Sequence, residues 1–123
     1  SVVRALGPYV AGLFANDDRL AAAISEAGDQ AGEAFWRLPL VEEYREMLNS
    51  EIADMDNSGR SPNAGAIVAA LFLREFVHPT IKWAHLDIAG TALHAKGWRY
   101  YRPGGTGFGV RTFVTLTERL ARE

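Results

Sequence analysis

Cysteine is absent from these 123 residues, so neither a disulfide nor a thiolate metal site can form within them. Long apolar runs are missing too. The longest candidate, Ala64 to Val77, is broken by Arg74 and Glu75 and falls short of the roughly 18 residues that a membrane-spanning helix needs. Charge of one sign is nowhere concentrated: 13 basic residues face 15 acidic ones, for a net charge of −2. Nucleic acid calls for a clustered cationic surface, and a membrane for an apolar span or basic patch, so neither partner is expected. Familiar catalytic signatures are equally missing. The serines lack a G-x-S-x-G elbow, and His78, His85 and His94 do not fall at the spacing of a His-Glu-x-x-His zinc helix.

What remains is ordinary in composition, with 48% hydrophobic and 23% charged residues, and long enough for one core. Strand-like and helix-like segments alternate, which argues for an α/β layered fold. Tyr9 to Phe14 reads as a buried strand. Asn16 is placed to cap a helix running to about Ala31, with Leu20, Ala23, Ile24 and Ala27 as its inner stripe. Pro39 biases Leu38 away from helix, so Arg37 to Leu40 is an extended connector. A second helix is expected from Val41 to Leu48 and a strand from Glu51 to Met55. Asp56 to Gly59 supplies turn chemistry, and Ser61-Pro62 marks a helix start. The helix from Asn63 to Val77 is apolar around its circumference and rich in alanine, which predicts burial on all sides. Lys82 to Ile88 forms a strand stopped by Ala89-Gly90, Thr91 to Gly109 a long loop, and Val110 to Ala121 a closing helix.

Three features invite chemical readings. His85 and Asp87, two apart on a strand, share a face and form a candidate metal or base pair; Asp54 and Asp56 have the same spacing. The plainer reading of both pairs is satisfaction of backbone groups and turns. The run Gly104-Gly105-Thr106-Gly107-Phe108-Gly109 ahead of a helix is a candidate anion cradle, but it lacks the lysine of a phosphate loop, and close backbone packing accounts for it better. Trp98, Tyr100 and Tyr101 beside Lys96, Arg99 and Arg102 suit a subunit contact or a pocket cover. Residues alone thus describe an α/β piece without a self-contained active site.

Four blocks in order carry a resemblance: Trp36-Arg37-Leu38-Pro39-Leu40, Ile52-Ala53-Asp54-Met55-Asp56-Asn57, Trp83-Ala84-His85-Leu86-Asp87-Ile88-Ala89-Gly90 and Thr106-Gly107-Phe108-Gly109-Val110-Arg111-Thr112. Together with Ala11 to Asp18 and the helix Ala64 to Leu73, they resemble the C-terminal part of the catalytic domain of the cytosolic leucine aminopeptidases. The resemblance covers essentially all of residues 1–123, read as one segment.

It implies the C-terminal portion of a three-layer α/β/α domain with a mixed central sheet. It also implies a parent enzyme that removes N-terminal residues from peptides with two divalent cations (manganese, zinc or magnesium) and a bicarbonate. That enzyme would be a cytoplasmic homo-hexamer. The metal ligands of such enzymes sit in an Asn-Thr-Asp-Ala-Glu-Gly-Arg signature that does not occur here, so no catalytic or metal-binding residue is assigned to this chain, and Asp54, Asp56 and Asp87 do not align with the ligands. What carries over is substrate-pocket lining at Ala89, Gly90, Thr91 and Ala92, with the small Ala92 implying a roomy pocket. On this reading the isolated chain is inactive, needs the upstream part of the same domain, and associates or aggregates without it. A short non-catalytic relative acting as a binding or assembly module is the alternative. An unrelated hydrolase holding metal at His85, Asp87, Asp54 and Asp56 is a weaker one.

Overall fold

A computed structural model describes residues 2–48 and 63–123. The order of elements is α1 (Val2–Leu6), β1 (Val10–Ala15), α2 (Asp18–Ala31), β2 (Ala34–Arg37), a short 3-10 turn (Glu42–Tyr44), α3 (Gly65–Arg74), β3 (Ala84–Asp87), β4 (Leu93–His94), β5 (Gly104–Gly105) and α4 (Val110–Ala121).

The six apolar residues of β1 make the central strand of a mixed three-stranded sheet ordered β2-β1-β3. β2 runs parallel to β1, from Val10 opposite Ala34 to Leu13 opposite Arg37. β3 runs antiparallel, from Gly12 opposite Asp87 to Ala15 opposite Ala84. Side chains alternate across a strand. Leu13 and Ala15 therefore share one face, where they pack with Ala21, Ile24 and Ala27 of α2 and Leu116 of α4. Gly12 faces the other way, so close to Val2 of α1 that an added Cβ would lie 2.9 Å from its methyl carbon. The start of α3 lies beside α1, and α3 packs against β3. The expected α/β/α layering with a mixed sheet is thus present.

Several local expectations are corrected. The cap of α2 is Asp17, whose carboxylate accepts the Leu20 N–H at 2.8 Å. Asn16 instead staples the end of β1 to the approach of β3: its side chain accepts from Trp83 N at 2.7 Å and donates to Ile81 O at 2.8 Å. The segment read as a connector from Arg37 follows a strand, Ala34–Arg37, that the pattern did not announce. Between Val41 and Leu48 the chain first forms the 3-10 turn, and only residues 45–48 are helical. α3 is shorter than the apolar run and is buried on one side only; Val68, Ala70 and Leu71 are enclosed, whereas Phe72, Leu73 and Phe76 are exposed. The long loop contains the β4–β5 ladder. The expected strand from Glu51 to Met55 and the turn residues Asp56 to Gly59, including Asp54 and Asp56, lie outside the described residues. Among the described residues no helix is long and apolar enough to cross a membrane.

Candidate functional site

β3 delivers the chain to the turn that the sequence singles out. Its last residue, Asp87, accepts the Ala89 N–H at 3.1 Å, and the Ile88 carbonyl then gathers the N–H groups of Thr91 at 3.1 Å and Ala92 at 2.9 Å. Gly90 is required by contact: a Cβ there would sit 2.4 Å from the Gly7 carbonyl oxygen, well inside van der Waals distance. Of the four lining candidates, Ala89, Gly90 and Ala92 keep some surface, and Thr91 is fully enclosed. Thr91 therefore holds the turn from within.

The turn is tied to the glycine-rich run. Thr106 Oγ1 donates to Thr91 O at 2.7 Å, and Thr106 N donates to Ala92 O at 2.9 Å. Both backbone groups of Ala92 are thus occupied, which leaves its methyl as the group it can present. Thr106 Oγ1 also accepts the Phe108 N–H at 3.1 Å. The first turn of α4, where the sequence offers an anion cradle, is already filled by this chain's own carboxylate. Glu33 Oε2 accepts from Gly109 N at 2.9 Å, while Oε1 accepts from Thr112 N at 2.9 Å and Thr112 Oγ1 at 2.7 Å. A helix N-terminus favours such an anion through its unpaired N–H groups and its dipole. No phosphate need be invoked.

His85 and Asp87 do share a face of β3, while Asp54 and Asp56, the other half of that candidate set, lie outside the described residues. The His85 ring stacks on Phe14, with centroids 5.9 Å apart, and on Trp83 at 6.4 Å. Burial lowers its pKa below the ordinary histidine value, and the Asp87 charge works in the opposite direction. Among the described residues no three His, Asp or Glu side chains come together as a cation site. The aromatic loop is tied to its surroundings: Trp98 packs against Tyr9 ahead of β1 at 4.4 Å between centroids, Arg99 lies 4.3 Å over the Trp98 ring, and Arg111 of α4 bonds the Tyr100 hydroxyl. Burial and the neighbouring Tyr100 push the Tyr101 hydroxyl up to about 12. Glu33 is the residue that sequence reading missed. A single glutamate after a glycine carries no local sign that its partners lie 76 to 79 residues away.

Known proteins match the chain along nearly its whole length. The model of the cytosol aminopeptidase family, catalytic domain, matches residues 1–114. A probable cytosol aminopeptidase of Chlamydia trachomatis serovar L2 is 52% identical over 121 residues, covering 98% of this chain and 24% of that protein. One from Chlorobium limicola is 52% identical over 115 residues, covering 94% of this chain and 22% of the relative. Among solved structures, the bottromycin maturation enzyme BotP in complex with Mn aligns with a TM-score of 0.83 at 39% identity, over 98% of this chain and 26% of that one. A tomato leucine aminopeptidase mutant aligns with a TM-score of 0.80 at 37% identity, over 96% and 22%. The chain spans about a quarter of the length of the curated relatives it matches.

Proposed function

Because the chain belongs to the cytosol aminopeptidase family and matches its catalytic domain, we propose that the polypeptide carrying it hydrolyses the N-terminal residue from peptides in a metal-dependent reaction. In this reading residues 1–123 supply scaffold, and Ala89, Gly90 and Ala92 form one wall of the pocket for the first side chain, with Thr91 anchoring that wall. The observation that carries it is the turn itself. Ala89 and Gly90, and Ala92 beyond the enclosed Thr91, follow β3; Gly90 lies close against the Gly7 carbonyl, hydrogen bonds to Ile88 and from Thr106 hold the backbone, and only small side chains keep exposed surface. Such a surface admits an apolar side chain and fixes its position without competing hydrogen bonds.

The two cations, manganese, zinc or magnesium, and a bicarbonate belong in this reading with residues other than those described here. The complex of BotP with Mn supports metal dependence for a structurally similar protein. A cytosolic site of action accords with the name of the relatives. Assembly as a homo-hexamer belongs to the same reading, in which exposed apolar side chains such as Phe76 and Phe113 and the aromatic-basic loop from Lys96 to Arg102 are free to meet the rest of the polypeptide or a second copy. The 123-residue chain alone is expected to be inactive.

The test is the substrate preference of the natural polypeptide carrying these residues, loaded with manganese. Ala92→Met should cut kcat/KM for a tryptophanyl amide relative to an alanyl amide by about tenfold or more, the usual scale for filling an apolar pocket. An unchanged ratio would remove Ala92 from the pocket wall. A wild-type polypeptide that hydrolyses neither amide would defeat the reading as a whole.

A further inference from the structure

Glu33 is 1% exposed, and a carboxylate so enclosed is costly unless it is fully bonded. α2 ends on Gly32 in the left-handed conformation, with φ 75°, which turns the chain back so that Glu33 N donates to Gly28 O at 2.8 Å. That reversal sends the Glu33 side chain under the start of α4, where it receives the three donors from Gly109 and Thr112. Two residues along, Phe35 meets Phe108 edge to face with centroids 5.3 Å apart. Residues 108 and 109 are thus fixed by a ring and a carboxylate from one short stretch of chain. The next hydrogen bonds lead to the pocket turn: Phe108 N to Thr106 Oγ1, Thr106 Oγ1 to Thr91 O, and Thr106 N to Ala92 O.

We infer that Glu33 is a positioning residue for substrate binding, acting through Gly109, Phe108 and Thr106 to set the place of the Ala89–Ala92 wall. This rests on the reading of that turn as pocket lining. Both Glu33 oxygens act as acceptors, a role that a carboxylate fills and an amide fills at one oxygen only. Glu33→Gln therefore sets an NH2 donor against an N–H donor at the start of α4, and the relief of that conflict displaces residues 106–109. The wall touches the substrate side chain and not the reacting atoms. Its displacement weakens ground-state and transition-state binding alike, which appears in KM.

Glu33→Gln, Thr106→Val and Thr106→Ser are to be compared with wild type in the natural polypeptide with manganese. Steady-state kinetics on a leucyl amide and hydrogen exchange of the backbone amides are measured on the same samples. Glu33→Gln and Thr106→Val should raise KM on the order of tenfold with kcat changed less than about threefold, while Thr106→Ser, which keeps the hydroxyl, stays within about twofold of wild type. Exchange should quicken at Ala92 and Thr106 in Glu33→Gln, as well as at Gly109 and Thr112. Faster exchange confined to Gly109 and Thr112, or a folded Glu33→Gln with unchanged KM, would overturn the inference. If Glu33→Gln does not fold, Thr106→Val decides: an unchanged KM overturns the inference and a raised KM supports it. Should wild type hydrolyse nothing, the pocket reading fails, and the exchange pattern alone then decides whether Glu33 holds the turn.

Discussion

Two polar sites occupy the region around the sheet. At the junction of α2 and α4, Glu33 is buried and its carboxylate accepts three hydrogen bonds from residues far away in the chain. On β3, His85 and Asp87 are half-buried; Asp87 accepts a hydrogen bond from its local turn, and His85 stacks with Phe14 and Trp83. In sequence the pair invites a chemical reading, with satisfaction of backbone groups the plainer one, whereas Glu33 carries no local sign of its role. A titratable pair at strand spacing is common and says little about organisation, whereas a buried, fully bonded carboxylate fixes several elements at once.

Removal of each group sharpens the contrast. Glu33→Ala leaves the Gly109 and Thr112 N–H groups buried without an acceptor, and each such group costs about 1–3 kcal/mol. A loss of about 3 kcal/mol or more is expected in urea unfolding; a loss under about 1 kcal/mol would mean that water replaces the carboxylate and that the two sites are alike. Asp87→Ala removes one local, partly solvated hydrogen bond and should cost about 1 kcal/mol in the same experiment. A loss as large as that of Glu33→Ala would break the comparison.

The smallest effect is a dependence on pH. The folded-state pKa of His85 is lowered, so the unfolded chain takes up its proton first as pH falls. The contribution of His85 is fully present above the ordinary value of about 6.5 and is lost as pH falls through the lowered folded value. Stability should therefore decline gently from pH 7 towards pH 5, and His85→Phe should flatten that slope. Glu42, held below the usual carboxylate range by its hydrogen bond to Arg74, acts in a more acidic window. A slope that survives His85→Phe would place its origin elsewhere.

The sheet's central and antiparallel strands, the three longer helices and the turn at Ala89-Gly90 were legible because apolar pattern and glycine placement are local signals. β2 was not: of Ala34, Phe35, Trp36 and Arg37 only Phe35 is half-buried, and a strand without alternation resembles a connector. The cap of α2 was misplaced by one residue because Asn16, Asp17 and Asp18 are all good caps, and the choice is made by Trp83 and Ile81, which claim Asn16. The expectation of close backbone packing in the glycine-rich run is not met: a Cβ at Gly104, Gly105 or Gly107 would meet nothing within 4 Å, and it is the positive φ of Gly104, Gly107 and Gly109 that calls for glycine there. The Glu33 carboxylate that fills the helix start has partners too distant in sequence to be found without the tertiary fold. The residues proposed to line a pocket came from resemblance, and the structure adds that Thr91 is the enclosed member of the four.

The most direct test is a crystal structure of the natural polypeptide with manganese and a leucine-derived inhibitor bound. The predicted result places the leucine side chain against Ala89, Gly90 and Ala92, with Glu33 still bonded to Gly109 and Thr112 and with both metal ions held by residues outside this segment. A cation coordinated by His85 or Asp87, or an inhibitor side chain remote from the turn, would contradict it.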